Sequence, residues 1–161
     1  MSHRAFIALG SNLQDPAAQV KRALQELAEV PGTQLIRASS LYRTAPMGYD
    51  RQPDFINAVA EIATMLKPLP LLHALLALED GHGRERPFPN APRVLDLDLL
   101  LYDDLTMETP ELTLPHPRMS ARGFVLLPLA EIAPELPIPE HGKAADLALQ
   151  CLDQGVERLT A

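Results

Sequence analysis

Two aspartates, Asp96 and Asp98, stand two residues apart in the apolar segment 92–102. The alternation of polar and apolar residues predicts a β-strand, in which both carboxylates point to the same face, roughly 6–7 Å apart between Cα atoms. At that distance each negative charge disfavours ionisation of the other. A divalent cation relieves the repulsion, and Mg²⁺ prefers carboxylate oxygens. The alternative is an amphipathic strand with one solvated face, and the aspartate pair alone favours this simpler interpretation.

The leucines of the same segment predict where the strand lies in its sheet. Leu100 and Tyr102 make the aspartate face apolar in its second half. The opposite face carries four leucines: Leu95, Leu97, Leu99 and Leu101. A strand that is apolar on both faces is typical of a sheet interior, so we expect a central position.

The charges are distributed unevenly along the chain. The net charge of −7, from 14 basic and 21 acidic residues, argues against general binding to nucleic acid or acidic membranes. Every lysine or arginine between residues 82 and 122 is nevertheless an arginine: Arg84, Arg86, Arg93, Arg118 and Arg122. Guanidinium groups suit bidentate recognition of phosphate, so a small polyanionic ligand is expected here.

Loops carry several of the other candidate residues. Arg84 and Arg86 lie in the segment 81–90, where flanking glycines and prolines would let a lid close over a ligand. Solvated loop charges are the alternative interpretation. His116 is held between two prolines, and a turn histidine explains it as well as a functional one. Asn57 shares a strand face with Phe55, and a buried amide there needs hydrogen-bond partners.

The predicted elements that position these residues suggest one domain over residues 1–161. Their order of strand, helix, strand, strand, helix, strand is that of a ferredoxin-like α+β fold with a mainly antiparallel sheet. Strands are predicted at 4–10, 33–42, 55–63 and 92–102, and helices at 16–28, 68–80, 122–133 and 144–152.

Several classes of protein are disfavoured by the sequence. Cys151 is the only cysteine, so an intrachain disulfide is impossible, and a reducing, cytoplasmic location with a buried, inert thiol is expected. No segment is apolar over the length of a membrane span, and the histidines lack zinc-ligand spacing. The sequence also lacks the glycine-rich phosphate loops of P-loop and dinucleotide-binding proteins.

Several stretches of the chain together resemble a known family. They are IALGSNL (7–13), YRTAPMG (42–48), QPDFINA (52–58), GRER (83–86), PRVLDLDLLLY (92–102), LTLPHPRM (112–119) and RGFVLLPLAEIAPEL (122–136). From residue 5 to about residue 150 the chain resembles 6-hydroxymethyl-7,8-dihydropterin pyrophosphokinase of folate biosynthesis. The resemblance implies a ferredoxin-like three-layer α/β/α sandwich. It also implies transfer of pyrophosphate from ATP to the pterin hydroxymethyl group, with release of AMP.

The resemblance also implies roles for individual residues and a monomeric enzyme. Asp96 and Asp98 would hold two Mg²⁺ ions on the ATP triphosphate, and Arg84 and Arg93 would join them as catalytic residues. The pterin-binding residues would be Thr44, Ala45, Met47, Phe55, Asn57 and Phe124. The ATP-binding residues would be Glu79, Arg84, Arg86, Arg93, Thr113, His116 and Arg122.

The chain departs from the family pattern in the arginine loop and on the adenine side. Val94 replaces a frequent threonine, Asn90 a tryptophan, Glu111 an arginine and Pro117 a tyrosine, and the loop between Arg86 and Asn90 is shorter. Two other functions remain open from the residues: a Mg²⁺-dependent phosphohydrolase that uses the same aspartates, and a nucleotide- or pterin-sensing module.

Overall fold

The computed structural model describes residues 2–45, 53–83 and 94–159. The strands are β1 (His3–Ser11), β2 (Thr33–Ala38), β3 (Tyr42–Thr44), β4 (Phe55–Thr64), β5 (Asp96–Tyr102), β6 (Met107–Glu108), β7 (Thr113–Leu114), β8 (Pro137–Ile138), β9 (Gly142–Lys143) and β10 (Glu157–Arg158). The helices are α1 (Pro16–Glu29), α2 (Pro68–Gly81), α3 (Gly123–Ile132) and α4 (Ala144–Leu149), with a 3₁₀ turn at Met119–Ala121.

The main sheet is six-stranded and antiparallel at every described pairing. Its order is β10-β3-β4-β1-β5, and β2 also pairs with β4. The long strands β1 and β4 therefore occupy its middle. This topology confirms the predicted α+β class with a mainly antiparallel sheet.

Helices cover both faces of the sheet, and each face has its own apolar core. Helices α1 and α2 pack on one face, where Leu27 and Leu71 meet Ile7 of β1. Helices α3 and α4 pack on the other face, where Leu126 and Leu147 join Phe6. Helices α1 and α2 each bury a stripe at a spacing of three or four residues, as an amphipathic helix should. None of the helices among the described residues has the length and apolar character needed to cross a membrane.

Strand β5 lies at the edge of the described sheet, so the expected central position is wrong. Among the described strands it pairs only with β1. On its outer side the backbone N–H of His116 donates to the carbonyl oxygen of Leu100 at 2.9 Å. Both faces of β5 are apolar because a helical layer covers each of them, and this burial gives the same sequence pattern as a central strand.

A β-bulge interrupts the alternation that the sequence predicts for β5. Phe6 pairs with Leu101 and Ile7 with Leu99, so Leu100 is the extra residue. Leu100 and Leu101 therefore both enter the core under α3, and Tyr102 turns to the opposite core. The bulge follows the aspartates, whose alternation it leaves intact.

The single strand predicted at 33–42 is divided into β2 and β3. At the break, the backbone N–H of Ser39 donates to the carbonyl of Val59, and the backbone N–H of Val59 donates to the Ser39 hydroxyl, both at 2.9 Å. A side chain thus replaces one backbone partner of the ladder, which lets the chain turn without leaving a buried donor unpaired.

Candidate active site

Three adjacent strands place Asn57, Gly10 and Asp96 in one row across the sheet. Gly10 of β1 pairs with Asn57 of β4 on one side and with Asp96 of β5 on the other. Ala8 pairs in the same way with Asp98 and belongs to the core under α3. Residues directly opposite each other share a face, so both aspartates and Asn57 face the α3 side. The row spans about 10 Å, twice the separation of neighbouring strands.

Gly10 provides the space between the amide and the carboxylates. A Cβ atom at this position would lie 3.1 Å from Asn57 Oδ1 and 3.9 Å from Phe55 Cδ1. The strand continues through Gly10 to Ser11, although glycine weakens a strand. A glycine inside a strand indicates that another group approaches its backbone closely. This signal was available in the sequence, but Gly10 was interpreted there only as the end of the first strand.

The side-chain amide of Asn57 is fixed by β3. Its Nδ2 donates to the Thr44 hydroxyl at 2.9 Å, and both residues are buried. Thr44 reaches this position because it pairs with Phe55 across β3 and β4. Ala45 follows at the exposed end of β3. The structure therefore brings together three of the predicted pterin residues and orients one polar group among them.

The start of α3 supplies the second aromatic candidate and a positive charge. Phe124 is half-buried at the margin of the α3-side core. The guanidinium carbon of Arg122 lies 5.4 Å from the centre of its ring, in a cation–π contact. Phe55 and Phe124 lie on the same side of the sheet, and their sandwich around a pterin stays a prediction.

His116 lies within electrostatic range of both Arg122 and Asp96. Its burial and the positive charge of Arg122 lower the pKa of the imidazole, an effect that Asp96 opposes and Arg118 reinforces. The neutral ring accepts a hydrogen bond at Nδ1 from the backbone N–H of Arg118, at 3.2 Å. Its proton is therefore on Nε2, which can donate to an anionic oxygen.

The predicted ATP residues Thr113 and His116 line one open cleft of about 470 Å³. Glu140 and His141, at the turn between β8 and β9, also line it. Small-molecule sites commonly have volumes of this order. No sequence pattern links Glu140 and His141 to Thr113 and His116, because their proximity arises only from the folded chain.

Glu79 of α2 supports the aspartate strand β5 through a hydrogen bond to its backbone. Its side chain continues the buried stripe of α2 after Leu71 and Leu75, and the residue is 2% exposed. One carboxylate oxygen accepts the backbone N–H of Leu97 at 2.7 Å. This bond holds the peptide between Asp96 and Asp98. Glu79 thus acts here on the strand, and its contact with ATP stays a prediction.

Asp96 and Asp98 are the candidate metal ligands of the sheet. Within the ranges that the structure describes, no three acidic, histidine or cysteine side chains form a metal-binding group. Asp96 and Asp98 are each half-buried at the start of β5. Mg²⁺ is usually held by one or two carboxylates, substrate phosphates and water, so two half-exposed carboxylates fit a site completed by a triphosphate.

The loop with the arginines begins at a fixed residue. Met47, Arg84, Arg86 and Arg93 lie outside the described residues. His82 is buried, and its Nδ1 donates to Gln19 Oε1 at 2.6 Å while Nε2 pairs with Glu26, both on α1. The lid expected in the segment 81–90 stays a prediction, because residues 84–90 lie outside the described residues.

Cys151 is buried after α4, as expected, and burial raises the pKa of its thiol. A buried, neutral thiol is a poor nucleophile. The row of Asn57, Gly10 and Asp96 therefore marks the α3 side of the sheet as the candidate active site.

The family model for 7,8-dihydro-6-hydroxymethylpterin-pyrophosphokinase (HPPK) matches residues 6–134 of the chain. The chain belongs to the HPPK family. This confirms the resemblance inferred from the sequence motifs.

Relatives of the HPPK chain share most of its length. A 2-amino-4-hydroxy-6-hydroxymethyldihydropteridine pyrophosphokinase of Pseudomonas aeruginosa is 44% identical over 99% of this chain and 98% of its own. The Haemophilus influenzae protein of the same name is 42% identical over 96% and 97%. The wild-type HPPK-DHPS of Plasmodium falciparum with pterin and p-hydroxybenzoate superposes with a TM-score of 0.80 at 16% identity. This HPPK chain matches it over its full length and spans 47% of that longer chain, which supports the fold alone.

Proposed function

We propose that this chain transfers pyrophosphate from ATP to the hydroxymethyl group of 6-hydroxymethyl-7,8-dihydropterin in folate biosynthesis, releasing AMP. Membership of the HPPK family supports this reaction. The observation that carries the proposal is the row of Asn57, Gly10 and Asp96, in which the strands of a fixed amide and of a carboxylate pair on the same face lie about 10 Å apart. One end of the row suits a heterocycle, and the other suits a metal-bound phosphate chain.

The pterin would bind at the amide end of the row. Asn57, fixed by Thr44, would hydrogen-bond the edge of the ring. Phe55 and Phe124, both half-buried on the same side of the sheet, would stack on its two faces. The backbone of Ala45 and Met47 would complete the recognition of the ring edge.

The triphosphate would bind at the carboxylate end. Asp96 and Asp98 would hold Mg²⁺, which we propose to be two ions, and the metal would neutralise charge on the phosphates. His116 would donate from Nε2 to a phosphate or ribose oxygen, and Arg122 would neutralise further charge. Arg84, Arg86, Arg93, Thr113 and Glu79 complete the proposed ATP-binding set.

The reaction would proceed by displacement at the β-phosphorus of ATP. The pterin hydroxyl oxygen attacks this phosphorus in line, the bond from phosphorus to the bridging α-phosphate oxygen breaks, and AMP leaves. Asp96 is proposed to accept the hydroxyl proton. Such transfers depend mainly on positioning and charge neutralisation, which rigid strands and a fixed amide can provide.

One assay tests this proposal against its rivals. The chain is incubated with ATP, Mg²⁺ and 6-hydroxymethyl-7,8-dihydropterin, and AMP and the pterin diphosphate are quantified together. We expect equal amounts of both, and no AMP without the pterin. Release of free phosphate or pyrophosphate without the pterin would identify a phosphohydrolase, and binding without turnover would identify a sensing module. Omission of Mg²⁺ tests the metal separately.

The assembly and location of the enzyme are also proposals. We propose a single domain over residues 1–161 that acts as a monomer in the cytoplasm. The continuous main sheet supports a single domain, and the single cysteine supports a reducing compartment.

A further inference from the structure

The segment after α4 closes on the first turn of α3 through one side chain. Gln154 Oε1 accepts the backbone N–H of Gly123 at 2.8 Å, across 31 residues of sequence. Gln154 Nε2 donates to the backbone carbonyl of Ala121 at 3.0 Å. The two bonded peptide groups stand on either side of Arg122. A single amide therefore fixes the backbone from which the Arg122 side chain leaves.

The first turn of α3 also packs directly against residues 151–154. A Cβ atom at Gly123 would lie 3.1 Å from the Cβ of Cys151, 3.1 Å from Gln154 Oε1 and 3.3 Å from the Cys151 carbonyl oxygen. Cys151 itself is 3% exposed. The start of α3 thus lies against residues 151–154 with no space for one additional methyl group.

Helix α3 needs this support because its own sequence supplies no side chain that caps its first N–H groups. The first N–H groups of a helix have no partner within the helix and are usually satisfied by a capping side chain. Arg122 occupies the N-cap position, and its side chain makes no capping hydrogen bond. The Arg122 guanidinium instead lies over the Phe124 ring. Gln154 provides the cap from outside the helix.

We propose that Gln154 is a positioning residue that sets the directions of Arg122 and Phe124 in the active site. The inference rests on the proposed roles of these two residues toward ATP and pterin. Gln154 lies beyond residue 134, where the match to the family model ends. Its effect reaches the ligands only through α3, so its loss should change both affinity and turnover.

The test uses the full-length chain with Gln154→Met, which preserves the side-chain length and removes both hydrogen bonds. Gln150→Met is the matched control, because Gln150 is exposed in the same segment and its side chain makes no hydrogen bond to the described residues. Calorimetry measures binding of 6-hydroxymethyl-7,8-dihydropterin and of α,β-methylene-ATP with Mg²⁺. We expect Gln154→Met to weaken each by about fivefold, the equivalent of one typical hydrogen bond, and to lower kcat. The control should match the unmodified chain.

Double-mutant cycles separate positioning from a general structural effect. In a Phe124→Ala background, Gln154→Met should no longer weaken pterin binding, and in an Arg122→Ala background it should no longer weaken nucleotide binding. Full additivity in both backgrounds, or equal behaviour of Gln154→Met and Gln150→Met, would overturn the inference while leaving the proposed function intact. Unchanged binding in Phe124→Ala and Arg122→Ala alone would instead remove the proposed site roles, and the inference with them.

Discussion

Gly10→Ala tests whether the gap between Asn57 and Asp96 is part of the pterin site. The added methyl group would lie 3.1 Å from Asn57 Oδ1, closer than an ordinary van der Waals contact, so the amide must move by a few tenths of an ångström. Asn57 can move only by straining its bond to Thr44. We expect pterin binding to weaken by about 1–3 kcal/mol, the range for an interrupted buried hydrogen bond. This corresponds to a loss of roughly five- to more than a hundredfold in affinity.

Stability and nucleotide binding should respond differently to the same change. Alanine in place of a strand glycine restricts the unfolded chain and contributes up to about 1 kcal/mol, which offsets the crowding. Urea unfolding should therefore shift little, and the affinity for α,β-methylene-ATP should be retained. Gly81→Ala is the control, since a Cβ atom there meets nothing within 4 Å. Wild-type pterin affinity in Gly10→Ala would refute the argument that this gap shapes the site.

Three further predictions concern the carboxylates and His116. Asp96→Asn and Asp98→Asn should each abolish most Mg²⁺-dependent AMP release. Both variants should unfold at an equal or higher urea concentration, because one member of a repelling pair is neutralised. Normal turnover in both variants would exclude the proposed metal site. Glu79→Ala should lower the free energy of unfolding by about 1–3 kcal/mol by leaving the buried Leu97 N–H without its acceptor, and Glu79→Gln, which retains an acceptor, should lower it less in the same urea titration. Burial and Arg122 lower the pKa of His116, so the folded chain binds this proton less readily than the unfolded chain, and stability should decline as the pH falls below about 6.5. Urea titrations at pH values below about 6.5 should give a shallower decline in stability for His116→Asn than for the unmodified chain. An identical decline in both proteins would show that other groups cause it.

Local sequence patterns were sufficient to predict the fold class and the shared face of Asp96 and Asp98. The alternation around Asp96 and Asp98 predicted their common direction correctly, because the bulge begins only at Leu100. The edge position of β5 was missed. A helical layer on each face buries an edge strand as it buries a central strand. The apolar pattern therefore cannot distinguish the two positions in the sheet.

The supporting residues were harder to predict, since each acts across a long sequence separation. Gln154 caps a helix 31 residues away, and Glu79 bonds to a strand 18 residues away. No periodicity or spacing links such pairs. Glu79 was selected only through the family resemblance, and the resemblance predicted a contact with ATP rather than with the backbone of β5.

The apolar core on the α3 side has a consequence for where this domain can be cut. The match to the family model ends at residue 134, but the core that contains Leu126 and Leu129 continues beyond it. Its later members are Ile138, Ala144, Leu147, Ala148 and Cys151. A chain truncated at residue 134 would keep every residue proposed to touch a ligand, yet it would expose to water the apolar part of α3 that packs against α4 and would invite self-association. The end of the family-model match and the end of the apolar core therefore fall at different places in this chain.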